Sequence, residues 1–207
     1  MKVTLPPSTL LAPLPAVLVS CSDGQQDNII TIAWVGILSS KPARLYVSVR
    51  PERHSFNMIK KTGQFVVNLV PENLVAACDY CGIRSGRDVD KFEEMGFGKV
   101  KAQHVDVPLI EQCPINLECK VFQEVESGSH TIFMADILAV NVDQSLMNNG
   151  AIDYKKAGFV NYQHGEYYAT GKHLARFGFA TQRKFIKECG KGVNVDMSKA
   201  KYTKRKK

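Results

Sequence analysis

The arrangement of apolar residues is what most restricts this chain. Runs rich in β-branched side chains occupy positions 16–20, 29–38, 45–49 and 65–69, all within the first 70 residues. Runs of that length and composition read as strands. Two longer apolar runs, 115–126 and 131–142, flank Ser127-Gly128-Ser129, a turn composition that predicts a β-hairpin. Short strand-like pieces follow near 158–162 and 167–170. Helical signals are few and short. They cover Phe56 to Lys61, stopped at Thr62-Gly63, then about 73–81, and a piece near 183–189. Many strands with little helix to cover their edges predict a closed or nearly closed antiparallel barrel, a mainly β fold.

A chain of 207 residues with 44% hydrophobic and 23% charged content can bury a core without disulfide or metal staples. The net charge of +7 raises nucleic acid or an anionic ligand as a partner. The last nine residues, Lys199 to Lys207, hold six positive charges and no acid, and removing them leaves +1 on residues 1–198. The organisation expected is therefore one domain over 1–198 and a basic, solvated tail over 199–207. The rival use of the tail is a nucleic-acid handle, which no basic and aromatic stripe elsewhere supports. The apolar stretch 10–19 is broken by Pro13 and Pro15 and is too short to span a bilayer. Six cysteines in a chain of this size do not form a disulfide scaffold. A cytoplasmic protein with reduced thiols and no membrane partner is the expectation.

Common catalytic signatures are missing. There is no Gly-x-Gly-x-x-Gly, no phosphate-loop motif, no His-Glu-x-x-His and no Gly-x-Ser-x-Gly. Cys78-Asp79-Tyr80-Cys81 is a lone Cys-x-x-Cys without the second pair that a zinc site needs. It reads as two small apolar residues on a helix, with a redox dithiol as the alternative. No metal site and no acid–base catalytic residue is expected. The segment Ser48-Val49-Arg50-Pro51-Glu52-Arg53-His54-Ser55 carries more information. A strand ending in serine and arginine runs into a helix whose first turn holds His54 and Ser55. Free amides, the helix dipole and a guanidinium would together suit a phosphate. The same residues also suit an ordinary N-cap at Ser55 beside a surface arginine.

Four ordered blocks, with a fifth near the end, form a wider pattern. They are Asn28-x-x-Thr31-x-Ala33-Trp34 with Ser39-Ser40-Lys41-Pro42; Ser48-Val-Arg50-Pro-x-x-His54-Ser55 with Thr62-Gly63-x-Phe65-Val-Val-Asn68; Ser85-Gly86-Arg87-Asp88-Val-Asp90-Lys91-Phe92; and Gly128-Ser129-His130-Thr131-Ile-Phe133. Tyr167-Tyr168-Ala-Thr170-Gly171-Lys172 adds to them. Together they resemble the flavin reductase-like family of FMN-binding split-barrel proteins, most of all its flavoredoxin-like and ferric reductase-like members.

The resemblance implies a six-stranded antiparallel Greek-key split barrel with a few short helices, assembled as a homodimer with FMN near the subunit interface. It implies that Asn28, Thr31, Ala33 and Trp34 line the flavin ring and ribityl chain. Ser39, Ser40, Ser48, Arg50, His54 and Ser55 would hold ribityl and phosphate. Lys91 would approach the ring and His130 would sit at the same pocket. Each of the last two has a plainer reading, as does Trp34: Lys91 paired with its acidic neighbours, Trp34 in the core, His130 opening a strand. Trp34 stands where reductases of two-component monooxygenases often have serine, which speaks against a monooxygenase partner. The implied activity is NAD(P)H-dependent reduction of flavin, a ferric chelate or a protein acceptor, with NADH or NADPH as donor. The alternative is an FMN-bound electron-transfer protein without direct NAD(P)H activity.

Overall fold

The computed structural model describes residues 1–175 and 177–179. The basic tail and the helical piece expected near 183–189 lie outside the described residues. One compact unit, Met1–Thr170, holds every element discussed below.

Seven strands form the main sheet: β1 (Val17–Ser22), β2 (Asp27–Ile32), β3 (Val35–Ser40), β4 (Ala43–Val49), β5 (Gln64–Leu69), β6 (Ile115–Ser127) and β7 (His130–Val142). Their order is β2-β1-β5-β6-β7-β4-β3, and every pairing is antiparallel. The fold is the expected mainly β split barrel with a few short helices, carrying seven strands where six were expected. The extra strand comes from the run 29–38, which is two strands broken at Ala33-Trp34. Those two strands are the opposite edges of the sheet. Residues Ile32 and Val35 are three positions apart, so at most about 11 Å of chain joins the two edges. A flat seven-stranded sheet would hold its edges roughly 28 Å apart. The sheet must therefore curl until its edges meet.

Every residue of β1 is buried because both of its faces are covered. Val17, Val19 and Cys21 point into the barrel with Val47, Phe65 and Phe133. Leu18 faces an outer cluster with Ile29, Cys78, Cys81 and Phe92. The helix α1 (His54–Thr62) closes the barrel by burying Phe56, Met58 and Ile59 against the inner cluster. It stops at Gly63, whose left-handed φ of 65° lets its N–H reach the Ile59 carbonyl. The helix α2 (Val75–Ile83) and the short α3 (Lys91–Glu94) cover β2 from outside. The predicted hairpin forms between β6 and β7 around Gly128-Ser129, with two register shifts that bend it. A second small sheet joins Leu14–Pro15, β8 (Val160–Gln163) and β9 (Glu166–Ala169).

Two polar groups fasten the loop 101–113 to the barrel wall. The buried Asn68 amide donates to the Leu18 carbonyl and Ser20 hydroxyl, and its oxygen accepts from Ile110 N–H and Asn116. Glu118 has no exposed surface. Its carboxylate accepts from the amides of Gln103 and His104 and from Asn141 Nδ2, at 2.6–3.1 Å. Burial by itself would raise its pKa, but the Asn141 and backbone donors outweigh burial and hold it below the usual carboxylate value of 4.5.

A carboxylate with a depressed native pKa gives stability that is present above its unfolded value and lost as pH falls through the native one. Glu118→Gln should therefore lower urea stability by about 1–3 kcal/mol at neutral pH. It should also flatten the loss of stability that the unsubstituted chain shows on acidification below about pH 4.5. Equal slopes for the two proteins would contradict this account of Glu118.

Candidate functional site

Strand register assembles the site. Pairing sets Val49 opposite Thr131 and Val35 opposite Val47. Continuing each ladder by one residue brings Arg50 to His130 and Trp34 to Ser48. The Ser48 N–H donates to the Trp34 carbonyl at 2.9 Å, which confirms the second pairing. The Trp34 and His130 rings lie 4.4 Å apart at 33°. Three strand ends and the seam of the barrel thus converge on one spot.

A cavity of about 510 Å³ opens there. One wall is the barrel, contributing Thr31, Ala33, Trp34, Ser48, Arg50, Arg53 and His130. The other consists of Asp79, Gly82 and Ile83 from α2, with Tyr162, Gly165 and Tyr167 from the β8–β9 hairpin. Helix and strand approach closely along its base. A Cβ on Gly82 would sit 3.2 Å from Thr31 Cβ, and the Thr31 hydroxyl donates to the Cys78 carbonyl.

The amino end of α1 lies beside Arg50 and Arg53. Its N-cap is Arg53, and no side chain caps it. Ser55 is not the cap; it lies in the first turn, fully buried. The Phe56 N–H donates to the Arg53 carbonyl, and no side chain caps the amides of His54 and Ser55, a helix start that suits an anion. Arg53 donates to the Gly82 carbonyl at 2.7 Å, linking α1 to α2, and Arg87 donates to the Glu52 carbonyl at 3.3 Å. Burial lowers the His54 pKa, assisted by Arg87. Burial likewise lowers that of His130, assisted by Arg50. Both imidazoles are thus biased toward the neutral form that accepts a hydrogen bond.

Six of the expected site residues line the cavity: Thr31, Ala33, Trp34, Ser48, Arg50 and His130. Three others lie behind its wall. Asn28 Nδ2 donates to Ser55 Oγ at 2.9 Å, and both residues are buried. Gly86 closes over this pair so tightly that a Cβ there would stand 2.2 Å from Asn28 Oδ1. Lys91 is buried, and its ammonium donates to the carbonyls of Ile29 and Cys81 at 2.7 and 2.8 Å. It pairs with neither acidic neighbour, and Asp90 instead caps α3 through Phe92 and Glu93 N–H. The ammonium is held among backbone oxygens, and burial lowers its pKa. His54 sits on the first turn of α1 beside the cavity. Ser39 and Ser40 lie at the far end of β3, about 16 Å of strand from the seam.

Sequence reading missed Arg53, Asp79, Gly82, Tyr162 and Tyr167. The one signal in the sequence was Gly82, a glycine in the last turn of a helix, which often marks close approach. Cys78 and Cys81 are buried in the outer apolar cluster, where burial pushes their thiols up to about 12 and about 11. That is the inert, apolar reading of the Cys-x-x-Cys.

Known proteins share this architecture. Residues 10–171 match the model of the flavin reductase like domain. Flavoredoxin of Desulfovibrio vulgaris (Miyazaki F) superposes with a TM-score of 0.83 at 34% identity, covering 88% of this chain and 100% of that one. Flavoredoxin from Methanosarcina acetivorans gives 0.81 at 25% identity, over 86% of this chain and 96% of that one. A ferric-chelate reductase (NAD(P)H) of Archaeoglobus fulgidus is 28% identical over 106 residues, 51% of this chain and 62% of that protein. With most of its length covered by the domain match, the chain belongs to the flavin reductase-like domain family.

Proposed function

We propose that this chain is an FMN-binding oxidoreductase that passes electrons from NADH or NADPH to free flavin, a ferric chelate or a protein acceptor. One observation carries the reading: a single cavity brings together two arginines beside an uncapped helix start and a tryptophan–histidine ring pair. A phosphate suits the first feature and a flat ring the second. The volume lies within the roughly 300–1,000 Å³ common for cofactor sites. The hydroxyls of Thr31 and Ser48 line the same cavity and suit a ribityl chain.

When bound, FMN supplies two-electron acceptance and one-electron release. The protein's task is to bind it, orient it and limit water. Arg50 and the first amides of α1 hold the phosphate. Trp34 shields one side of the ring system. His130, kept neutral by its surroundings, offers a hydrogen-bonding nitrogen beside Trp34. The Asn28–Ser55 pair and Lys91 act from behind, fixing α1, β2 and α2 against one another.

This reading includes a homodimer, supported by exposed apolar side chains on β3, β6 and β7, namely Ile37, Leu38, Phe122 and Leu138. It also includes a cytoplasmic setting, where the five unpaired cysteines among the described residues stay reduced. No helix among the described residues is long and apolar enough to cross a membrane. The second reading is an FMN-bound carrier that takes its electrons from another redox protein. The 34% identity to a flavoredoxin favours it.

Purified protein should be yellow, or should take up FMN at micromolar concentration with quenching of Trp34, the chain's single tryptophan. A protein that is colourless and indifferent to FMN ends both readings. Anaerobic NADH or NADPH should bleach the flavin band. Silence with both donors selects the carrier. Arg50→Gln should weaken FMN binding about 10- to 100-fold, the worth of charge-assisted hydrogen bonds, while riboflavin, which lacks the phosphate, should lose little. Equal losses for the two ligands would remove Arg50 from the phosphate.

A further inference from the structure

Apolar contact anchors the carboxyl end of α2 only lightly. In its last turn Cys81 alone is buried, Gly82 has no side chain and Ile83 is 69% exposed. The Arg84 N–H takes the Tyr80 carbonyl, which leaves the carbonyls of Cys81 and Gly82 beyond the last helical bond. The helix dipole makes that end its negative pole. Donors from three other elements meet it. The Thr31 hydroxyl of β2 reaches the Cys78 carbonyl. The Lys91 ammonium of α3 reaches the Cys81 carbonyl at 2.8 Å, and the Arg53 guanidinium reaches the Gly82 carbonyl at 2.7 Å. Lys91 also binds the Ile29 carbonyl, so it and Thr31 both fasten α2 to β2. Arg53 differs in where it stands. It is the N-cap of α1, it is exposed, and both it and Gly82 line the cavity. Its bond therefore joins the barrel wall of the cavity to the α2 wall.

We propose that Arg53 is a positioning residue that sets the width of the cavity, its bond to Gly82 holding the last turn of α2 close to the barrel wall around a flat ring. Glycine and arginine act together here. Gly82 permits the approach to Thr31, where a Cβ would stand only 3.2 Å from Thr31 Cβ, and Arg53 maintains it. The proposal rests on the reading that the cavity takes FMN, with Arg50 and not Arg53 on the phosphate. It follows that Arg53 affects flavins with and without a phosphate alike, because it works through the wall and not through a contact with the anion. Without the guanidinium, Cys81 and Lys91 alone would hold the last turn, and it would swing outward more freely.

Arg53→Gln, a change at an exposed position, tests it in the full chain. In the flavin-free protein, amide hydrogen exchange across residues 79–84 should quicken about three- to tenfold, the worth of one hydrogen bond, while α1 and the barrel strands keep their rates. Acrylamide, a neutral quencher, should reach Trp34, the single tryptophan, more readily through the loosened wall. FMN and riboflavin should then lose affinity by the same factor, about three- to tenfold. Unchanged exchange over 79–84 overturns the proposal, because the link would then hold nothing. Faster exchange spread through the barrel strands overturns it too, since that marks general loosening. So does a loss confined to FMN with riboflavin unaffected, which would make Arg53 a phosphate ligand. Exchange and quenching are read without flavin. A local change in both, in a chain that binds neither flavin, would reject the cofactor reading and keep Arg53 as the link that sets the cavity.

Discussion

Two residues, Ala33 and Trp34, join the two edges of the main sheet. That short tether is the constraint on which the rest depends. It obliges seven twisted strands to roll up, fixes where the barrel seam falls, and brings the ends of β2, β3, β4 and β7 to the same place. The cavity is what a barrel closed by so short a link leaves at its seam. Trp34 lies in the link itself, so the residue that closes the barrel is also part of the cavity wall.

Around this seam the structure spends charge sparingly. The interior cation Lys91 and the interior anion Glu118 do not meet each other or any opposite charge. Lys91 is satisfied by backbone carbonyls, and Glu118 by backbone amides and the Asn141 side-chain amide. Such partners tie loops and helices to strands at defined points, since one ion bridges segments far apart in sequence. Lys91 clasps β2 to α2, and Glu118 clasps loop 101–113 to β6. Arg50, which takes part in none of the ion pairs among the described residues, lines the cavity.

Much of the fold was legible because β-branched runs and turn residues report strands locally. The hairpin around Gly128, the stop at Gly63 and the short helices all follow from nearby residues. The break inside 29–38 was not legible. Ala33 and Trp34 are as apolar as their neighbours, so nothing in the hydrophobic pattern marks a change of sheet edge. On the site, residues carried by the strand blocks fell at the cavity, as with Thr31, Ser48, Arg50 and His130. Lys91 was placed differently because its partners are carbonyl oxygens, which every residue possesses and no sequence displays. Asp79 and Tyr167 meet only after helix and hairpin pack, across 88 positions. Ser39 and Ser40 share a strand with the seam but lie a strand's length from it.

The β8–β9 hairpin lies outside the barrel, yet it supplies Tyr162, Gly165 and Tyr167 to the cavity wall. All seven barrel strands are complete once residue 142 has been made. The cavity is not, because residues 162–167 have yet to arrive. On a chain emerging from the ribosome, the barrel can close before there is anywhere for a ligand to be enclosed. Ligand capture therefore comes last, and whatever binds both walls stitches the final hairpin to a body that has already folded.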